Sequence, residues 1–267
     1  MKFRELIKKI HFRGRGRLIN LLFPSLKCVI PYGNESLIHV DTGEWIGWNI
    51  YWNGGYEQEV TWLLDHICKK DSVCVDIGAN IGVYTLLLAE KSLHVHAIEP
   101  NPVFRKNLVR NISLNKFDNT SIHTCGISDT AGEVTMYCPP DSMANKSATI
   151  KKINNELTEQ ITIHVLPLDV FCEKFGTIDV IKIDCDGADA DIILSGKESI
   201  AKHKPYIIFE DMGLMDFPSI ERKYELAYQF LQSIGYLLFE IKRHHLEPIE
   251  TPVKGRYANI FAAHCEH

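Results

Sequence analysis

Apolar strand-like runs alternate with amphipathic helical segments along the chain from residue 72 onward. Short apolar runs bounded by polar residues are typical of buried strands, whereas apolar residues spaced by three and four are typical of helices. This alternation predicts a mainly parallel sheet with helices on both faces. The predicted strands are 72–77, 93–99, 121–125, 178–184, 206–210, 235–241 and 259–264, and the predicted helices are 61–67, 83–90, 102–115, 188–203 and 219–233.

Both ends of the chain depart from this pattern. The last two predicted strands have no helix between them, so we expect an antiparallel hairpin that completes a seven-stranded, doubly wound, Rossmann-like α/β sheet. At the other end, residues 37–52 alternate around a polar Asp-Thr-Gly turn and predict a β-hairpin, while apolar positions within 3–10 predict a short basic amphipathic helix. We therefore divide the chain into an N-terminal element, 1–54, and a main domain, 55–267.

One connection, 128–168, is unusually long for a compact α/β domain. It contains two short strand candidates, 134–138 and 161–165, on either side of a polar stretch at 141–155. Connections of this length often carry function. Because the strand before it is expected to be parallel to the first, the connection leaves from the carboxyl edge of the sheet. We therefore expect a substrate-side insertion here.

Charge is distributed unevenly along the chain. Residues 1–27 carry eight basic residues and one acid, whereas the remainder has a net charge of −12. An acidic body is a poor match for nucleic acid, so no nucleic-acid partner is expected. The basic leader either lies on an anionic membrane surface or packs as a helix on its own domain. Without a signal-peptide pattern or a spanning apolar run, we expect a cytoplasmic protein, with peripheral contact at the inner face of the membrane as the alternative.

A glycine-containing turn follows the first strand of the main domain and opens a helix. In this turn Gly78 allows a tight bend and close approach to a ligand, and Gly82 allows close contact between helix and turn. Asp76 ends the strand, where a carboxylate can hold the amino-acid end of a cationic cofactor. Glu99 ends the second strand and can accept hydrogen bonds from both ribose hydroxyls of an adenosine. The G-x-x-x-G spacing suits a sulfonium cofactor without phosphate better than the G-x-G-x-x-G pattern of dinucleotide sites.

These residues lie in blocks that together resemble the FkbM-type methyltransferase family. The resemblance extends from about Gly55 to Asp211 and implies a class I methyltransferase fold, S-adenosylmethionine as cofactor, and transfer of its methyl group to hydroxyl oxygens of sugars or polyketides. Asp186 and Asp189 depart from the family pattern, which has glutamates at both positions. The matching blocks are 55–57, 75–82, 99–102, 182–189 and 205–210.

The resemblance also implies roles for individual residues. Asn101 and Gly126 are expected beside the adenine. Asp129 either accepts a hydrogen bond from the adenine amino group or helps the turn that follows it. The remaining residues with an implied cofactor role are Glu57, Asp76, Gly78, Ala79, Asn80, Gly82 and Glu99.

Transfer to a hydroxyl needs a base or a metal to assist loss of the proton. We rank the candidate bases as Asp184, Glu210 and His245, which follow three successive strands in the chain. A cluster of acids can raise a carboxyl pKa or coordinate a divalent cation. No metal site is predicted, although a divalent metal stays open as the alternative activator. Asp186 equally suits a helix N-cap, and the pair at 244–245 suits a solvated loop.

Three other functions compete with a sugar or natural-product O-methyltransferase. An N-directed methyltransferase is disfavoured because the fourth strand ends in Ile-Asp-Cys-Asp at 183–186 and not in an Asn/Asp-Pro-Pro-aromatic motif. The second is a non-catalytic cofactor-binding scaffold held at a membrane surface by residues 1–27. The third, a dehydrogenase, is disfavoured by the glycine spacing. The expected acceptor is a glycan or another small molecule.

Overall fold

The N-terminal part of the chain is a hairpin with two helices, followed by a sheet with helices on both faces. In this computed structural model the described residues are 19, 23, 25–138, 159–213 and 218–267. Ile38 and Val40 of the hairpin are buried in the same apolar cluster as the helices and strands that follow. The N-terminal elements are β1 (Lys27–Tyr32), β2 (Ser36–Asp41), α1 (Trp45–Asn53) and α2 (Gln58–Ile67).

The hairpin predicted over 37–52 is wrong in position. β2 pairs with the residues before it, with Ile38 opposite Ile30, and not with the residues after it. The stretch expected to form the second strand is helix α1, which buries Ile50 and ends at the left-handed Gly54. The apolar residues of this stretch fit both the alternation of a strand and the three- and four-residue spacing of a helix. Alternation alone therefore did not identify a strand. The predicted basic helix within 3–10 lies outside the described residues.

A mixed sheet is the centre of the described part of the chain. Its eight strands are β3 (Val73–Ile77), β4 (His94–Ile98), β5 (Thr120–His123), β9 (Val180–Ile183), β10 (Tyr206–Asp211), β11 (Tyr236–Lys242), β12 (His245–Ile249) and β13 (Ala258–His264). They lie in the order β5-β4-β3-β9-β10-β13-β11-β12. The five strands from β5 to β10 in this order are parallel, and β13 is antiparallel to both of its neighbours. The doubly wound, mainly parallel α/β fold is therefore confirmed.

Two details of the sheet region differ from the prediction. β11 and β13 pair as expected, but β12 follows β11 as an eighth strand on the outer edge. Its residues are mostly exposed, so no apolar run revealed it. The helix predicted over 188–203 is divided at Gly196, where a Cβ would lie 2.5 Å from the Leu168 side chain. The close approach of Leu168 therefore requires glycine at this break. The helices after α2 are α3 (Val83–Ala89), α4 (Pro102–Asn115), α5 (Leu168–Cys172), α6 (Asp189–Ser195), α7 (Lys197–His203) and α8 (Pro218–Ser233).

Alternate residues of the parallel strands enter two separate apolar layers. Val75 and Ile181 face the layer that α5 to α8 cover, whereas Cys74 and Val180 face the layer formed by the hairpin, α2 and α3. The carboxyl ends of the parallel strands meet along one edge, where doubly wound sheets hold ligands. No helix in the described ranges is long and apolar enough to cross a membrane.

The long connection forms a second, small sheet. Its strands β6 (Gly126–Ile127), β7 (Gly132–Cys138) and β8 (Glu159–Leu166) lie in the order β6-β8-β7. The two strand candidates of the sequence are confirmed as β7 and β8, which pair antiparallel. The polar stretch at 141–155 lies outside the described residues.

Candidate active site

The turn between β3 and α3 can only be formed with glycine at its first position. Gly78 has φ +83°, and a Cβ there would lie 2.0 Å from the backbone oxygen of Asp184. The backbone N–H groups of Gly78 and Ala79 both donate to the carbonyl of Ile98, at 3.0 Å. Gly82, with φ +95°, begins α3. The turn is thus held between the ends of β4 and β9.

Glu99 lies at the end of β4 with its carboxylate fixed by two backbone donors. The N–H of Asn80 donates to Oε2 and the N–H of Asn101 donates to Oε1, both at 2.8 Å. Burial raises the pKa of Glu99 to about 7, against the lowering effect of these two hydrogen bonds. A carboxylate oxygen accepts more than one hydrogen bond, so each oxygen keeps capacity for a ligand hydroxyl.

Asp76 is fully buried beneath the turn. Its Oδ2 accepts a hydrogen bond from the hydroxyl of Thr85, which ties β3 to α3, while its Oδ1 has no hydrogen-bond partner among the described residues. Burial raises the pKa of Asp76 to about 6. The structure therefore places Asp76 behind the glycine turn, and it is absent from the walls of the cavities beside that turn.

A buried lysine neutralises a group of acids at the ends of β9 and β10. Lys182 is 0% exposed, and its Nζ lies 2.9 Å from the carbonyl oxygen of Ile183 and 3.7 Å from Oδ2 of Asp184. It also lies 5.0 Å from the centre of the Tyr84 ring. Burial alone would lower the pKa of Lys182. The negative charges of the surrounding acids, Asp184 and Glu57 first among them, raise it by more, so the pKa of Lys182 is raised. The lysine is therefore held charged by the acids around it.

Glu57 belongs to this group although it comes from the N-terminal side of the domain. It adopts a left-handed conformation, φ +39°, immediately before α2. The Tyr84 hydroxyl donates a short hydrogen bond to its carboxylate. Burial raises the pKa of Glu57, with Lys182 acting in the opposite direction. The strained backbone thus directs an acid toward the same lysine that Asp184 approaches.

Asp189 links the loop after β9 to β10. Its two carboxylate oxygens accept from the backbone N–H groups of Glu210, at 3.2 Å, and Cys185, at 3.4 Å. Burial and the charge of Asp184 raise the pKa of Asp189 to about 7 and that of Glu210 to about 8. Acids at the ends of two adjacent strands therefore lie close together, and the negative charge of one disfavours ionisation of the next.

Two cavities open beside the glycine turn and share part of their walls. The larger has a volume of ≈ 320 Å³, and the smaller has a volume of ≈ 80 Å³ and adjoins Glu99. Asn80 and Asp184 line both cavities. The larger cavity is also lined by Glu44, Trp45, Ile46, Tyr56, Tyr84 and Asp186. The smaller is also lined by Ile98, Gly126, Ile127, Met136, Ile163 and Val165.

Five of the ten predicted cofactor residues line the two cavities, namely Gly78, Ala79, Asn80, Glu99 and Gly126. Glu57, Asp76, Gly82, Asn101 and Asp129 do not. The Asn101 side chain caps α4 by accepting from the N–H of Val103, at 2.9 Å. Asp129 lines neither cavity, and its carboxylate lies 3.9 Å from Lys223 Nζ. Gly126 lines the smaller cavity, as part of β6.

His245 lies apart from the other two candidate bases. It begins β12, and the strands β11, β13 and β10 separate it from β9. Its side chain is exposed and contacts Glu247 at 3.1 Å. The sequence places both His245 and Asp184 after a strand, but it does not show how many strands lie between them. Asp184 and Glu210, on adjacent strands, are brought together.

The described part of the long connection lines the smaller cavity and not the larger one. Met136, Ile163 and Val165 supply apolar walls beside Glu99. Its expected role in holding the acceptor therefore stays a prediction that depends on the residues at 139–158, which the structure does not describe.

Sequence reasoning missed the residues that complete the site. Lys182 had a usable signal, since a lysine within an otherwise apolar strand is rarely buried without acidic partners. Tyr84 and Trp45 had none, because aromatic residues in apolar helices more often belong to the core. Among the described residues, no group of three or more His, Cys, Asp or Glu side chains could hold a metal ion.

The chain is similar in sequence to curated methyltransferases. A curated relative, the 2-O-methyltransferase NoeI of Sinorhizobium fredii, is 28% identical over 165 residues, which cover 55% of this chain and 67% of that protein. Methyltransferase 1 of Beauveria bassiana is 26% identical over 144 residues, covering 46% of this chain and 57% of that protein. The crystal structure of methyltransferase FkbM from Methylobacillus flagellatus matches with a TM-score of 0.49 and 16% identity, covering 80% of this chain and 52% of that chain.

These matches span between about half and two thirds of each relative. The family model of the methyltransferase FkbM domain matches residues 76–238, more than half of the chain. That range begins at the acid before the glycine turn and includes Glu99, Asp184 and Glu210. The chain therefore belongs to the methyltransferase FkbM domain family.

Proposed function

We propose that this chain transfers a methyl group from S-adenosylmethionine to a hydroxyl oxygen of a sugar, a glycan or a related small natural product. The observation that carries the proposal is the carboxylate of Glu99, held by the N–H groups of Asn80 and Asn101 beside a glycine turn that opens on a cavity lined by acids.

The residues present fit this cofactor. The two oxygens of Glu99, each with one backbone donor, suit the two hydroxyls of a ribose. The apolar walls of the smaller cavity, Ile98, Ile127 and Val165 among them, suit a flat adenine ring. The acids around Asp184 suit a positively charged sulfonium, and Gly78 leaves the backbone accessible. Within the described residues this edge shows no run of backbone donors of the G-x-G-x-x-G type for a pyrophosphate.

When bound, S-adenosylmethionine supplies a methyl group already activated by the positive sulfur. We assign Asp184 as the base that accepts the hydroxyl proton. Asp184 and Asp186 both line the two cavities, and Asp184 is the one of the two that lies beside the buried Lys182. Lys182, at 3.7 Å, balances its negative charge within a site that otherwise holds acids. Glu210 is the second candidate, since a pKa near 8 lets it exchange a proton close to neutral pH.

A hydroxyl acceptor is supported by three features. Several carboxylates at the cavity can accept hydrogen bonds from a polyhydroxylated molecule, with Asp184 and Asp186 in its wall. The relative NoeI is named as a 2-O-methyltransferase. The strand end that carries Asp184 also lacks the Pro-Pro-aromatic sequence typical of enzymes that act on exocyclic amines.

The test is methyl transfer from isotope-labelled S-adenosylmethionine to a pool of glycans and small glycosides, followed by mass spectrometry of the products. We expect label on a hydroxyl oxygen. Asp184→Asn should lower kcat by roughly a hundredfold or more while S-adenosylhomocysteine still binds. Glu173→Gln, an exposed acid outside both cavities, is the matched control. Label found only on nitrogen, or cofactor binding without transfer to any acceptor, would overturn the proposal.

A further inference from the structure

Helix α1 brings Trp45 to the larger cavity, with Trp48 stacked against it. Trp45 lines the cavity together with Glu44 and Ile46, and 55% of its surface is exposed. The ring of Trp48 lies 6.4 Å from that of Trp45, centre to centre, and the two planes differ by only 5°. The Trp45 ring, with Trp48 stacked on it, therefore stands at a cavity that also reaches the glycine turn.

The position of these rings is fixed by the packing of α1. A Cβ on Gly47 would lie 2.2 Å from the backbone oxygen of Asp41, so the helix sits directly against the end of β2. On its inner side Trp52 is buried and contacts Phe23, with 5.3 Å between ring centres. Trp45 lies seven residues earlier, about two turns away on nearly the same face, and lines the cavity at the N-terminal end of the helix.

The cavity combines these apolar faces with oxygen acceptors. The carboxylates of Glu44, Asp184 and Asp186 belong to the same wall as the Trp45 ring. A pyranose has matching chemistry, since one face presents C–H groups and its rim presents hydroxyl donors. Aromatic side chains bind such amphipathic surfaces with little loss of conformational freedom.

We propose that Trp45, supported by the stacked ring of Trp48, forms a platform on which a pyranose ring of the acceptor stacks, with Glu44 and Asp186 accepting hydrogen bonds from its hydroxyls. The proposal rests on the proposed function and extends it by assigning the acceptor subsite to α1. Asp184 lies in the same cavity, where that cavity meets the cofactor side. The site selects for a ring with an exposed apolar face, and therefore for a sugar over a linear alcohol.

Fluorine NMR of the 5-fluorotryptophan protein tests the platform directly. The chain has four tryptophans, so two belong to the platform and two, Trp52 and Trp62, serve as internal controls. With S-adenosylhomocysteine saturating, a panel of methyl glycosides of common hexoses and 6-deoxyhexoses is added. We expect at least one glycoside to shift the resonances of Trp45 and Trp48 and leave the other two unchanged. Equal shifts of all four, or no shift with a glycoside that is methylated, would overturn the platform.

Kinetics with the best glycoside separate the platform from the cofactor site. Trp45→Ala should raise the acceptor KM by about tenfold or more with S-adenosylhomocysteine affinity retained, and Trp45→Phe should restore much of the loss. The control is Tyr257→Ala, because Tyr257 is an aromatic residue outside the cavity and is 62% exposed. This substitution should change neither the acceptor KM nor the affinity for S-adenosylhomocysteine.

Each remaining outcome has a distinct meaning. Methylation of a glycoside with an unchanged KM in Trp45→Ala would overturn the platform alone. Loss of S-adenosylhomocysteine affinity in that variant would assign Trp45 to the cofactor and overturn the platform. Selective shifts at Trp45 and Trp48 without methyl transfer would support the platform and contradict the proposed activity. Neither shifts nor transfer with any glycoside would overturn both.

Discussion

At the scale of single residues, the site depends on positions where only one type of side chain satisfies the geometry. Gly78 is such a position, because its backbone conformation and the carbonyl of Asp184 both exclude a Cβ. Glu99 is another, because two backbone N–H groups hold its carboxylate in place. Both were predictable from spacing after a strand. The buried Lys182 was not assigned a role, since its partners come from three separate parts of the chain.

Gly78→Ala should abolish detectable binding of S-adenosylhomocysteine and lower the free energy of unfolding by at least about 2 kcal/mol, because the new methyl group would lie within 2.0 Å of a backbone oxygen. Chemical denaturation and calorimetry measure the two effects. Gly132→Ala is the matched control, since that glycine also has a positive φ, +143°, but has nothing within 4 Å of the added Cβ. Equal effects of the two substitutions would show that strain, and not the close approach, is responsible.

At the scale of elements, the sequence predicted those whose apolar period is unambiguous. The parallel strands and α4 lie close to their expected positions. The hairpin was misplaced because residues 45–52 are apolar on more than one face, and β12 was missed because it is exposed. The break at Gly196 depends on α5, which is distant in the chain. The local sequence pattern therefore identified most helices and strands, whereas contacts between distant parts of the chain determine how the strands pair and where the helices end.

The N-terminal hairpin is integrated with the main domain through side chains of α4. The Asn111 amide accepts from the N–H of His39, at 2.8 Å, and donates to the carbonyl of Ile81, also at 2.8 Å. Asn115 bonds both backbone groups of Leu37, each at 2.7 Å. Residues of the hairpin and of the elements after residue 54 also share one apolar cluster.

Asn111→Ala should lower the free energy of unfolding by about 1–3 kcal/mol, because it leaves backbone groups of β2 and of the glycine turn without partners. Urea denaturation followed by circular dichroism gives the value. Asn53→Ala, at an exposed asparagine that ends α1, should change stability by less than about 0.5 kcal/mol. A small effect at Asn111 would mean that the hairpin contributes little to the stability of the domain.

At the scale of the whole molecule, the carboxyl edge of the sheet concentrates acids that burial holds partly protonated. The pKa values of Glu99 and Asp189 are raised to about 7, and that of Glu210 to about 8. In the unfolded chain these groups have lost their protons well below pH 7. The folded state therefore binds more protons than the unfolded state near neutral pH, and its stability falls as pH rises through these values.

The free energy of unfolding of the cofactor-free chain should fall by about 1–3 kcal/mol between about pH 7 and about pH 8.5. Guanidinium denaturation across this interval measures the slope, and histidines contribute little because the unfolded-state pKa of about 6.5 lies below it. Glu210→Gln should remove roughly half of the fall, since the amide stays neutral. Glu173→Gln should leave the slope unchanged. A stability that rose with pH would contradict the burial of these acids.

The most direct test of the account is calorimetric titration of S-adenosylhomocysteine into the chain and into Glu99→Ala, with Glu173→Ala as the control. We expect the first substitution to weaken binding by about 1–3 kcal/mol, roughly five- to 150-fold, because two ribose hydroxyls lose a charged acceptor. The control should bind as the unmodified chain does. Unchanged affinity in a folded Glu99→Ala variant would contradict the central claim that this edge of the sheet binds the adenosine of the methyl donor.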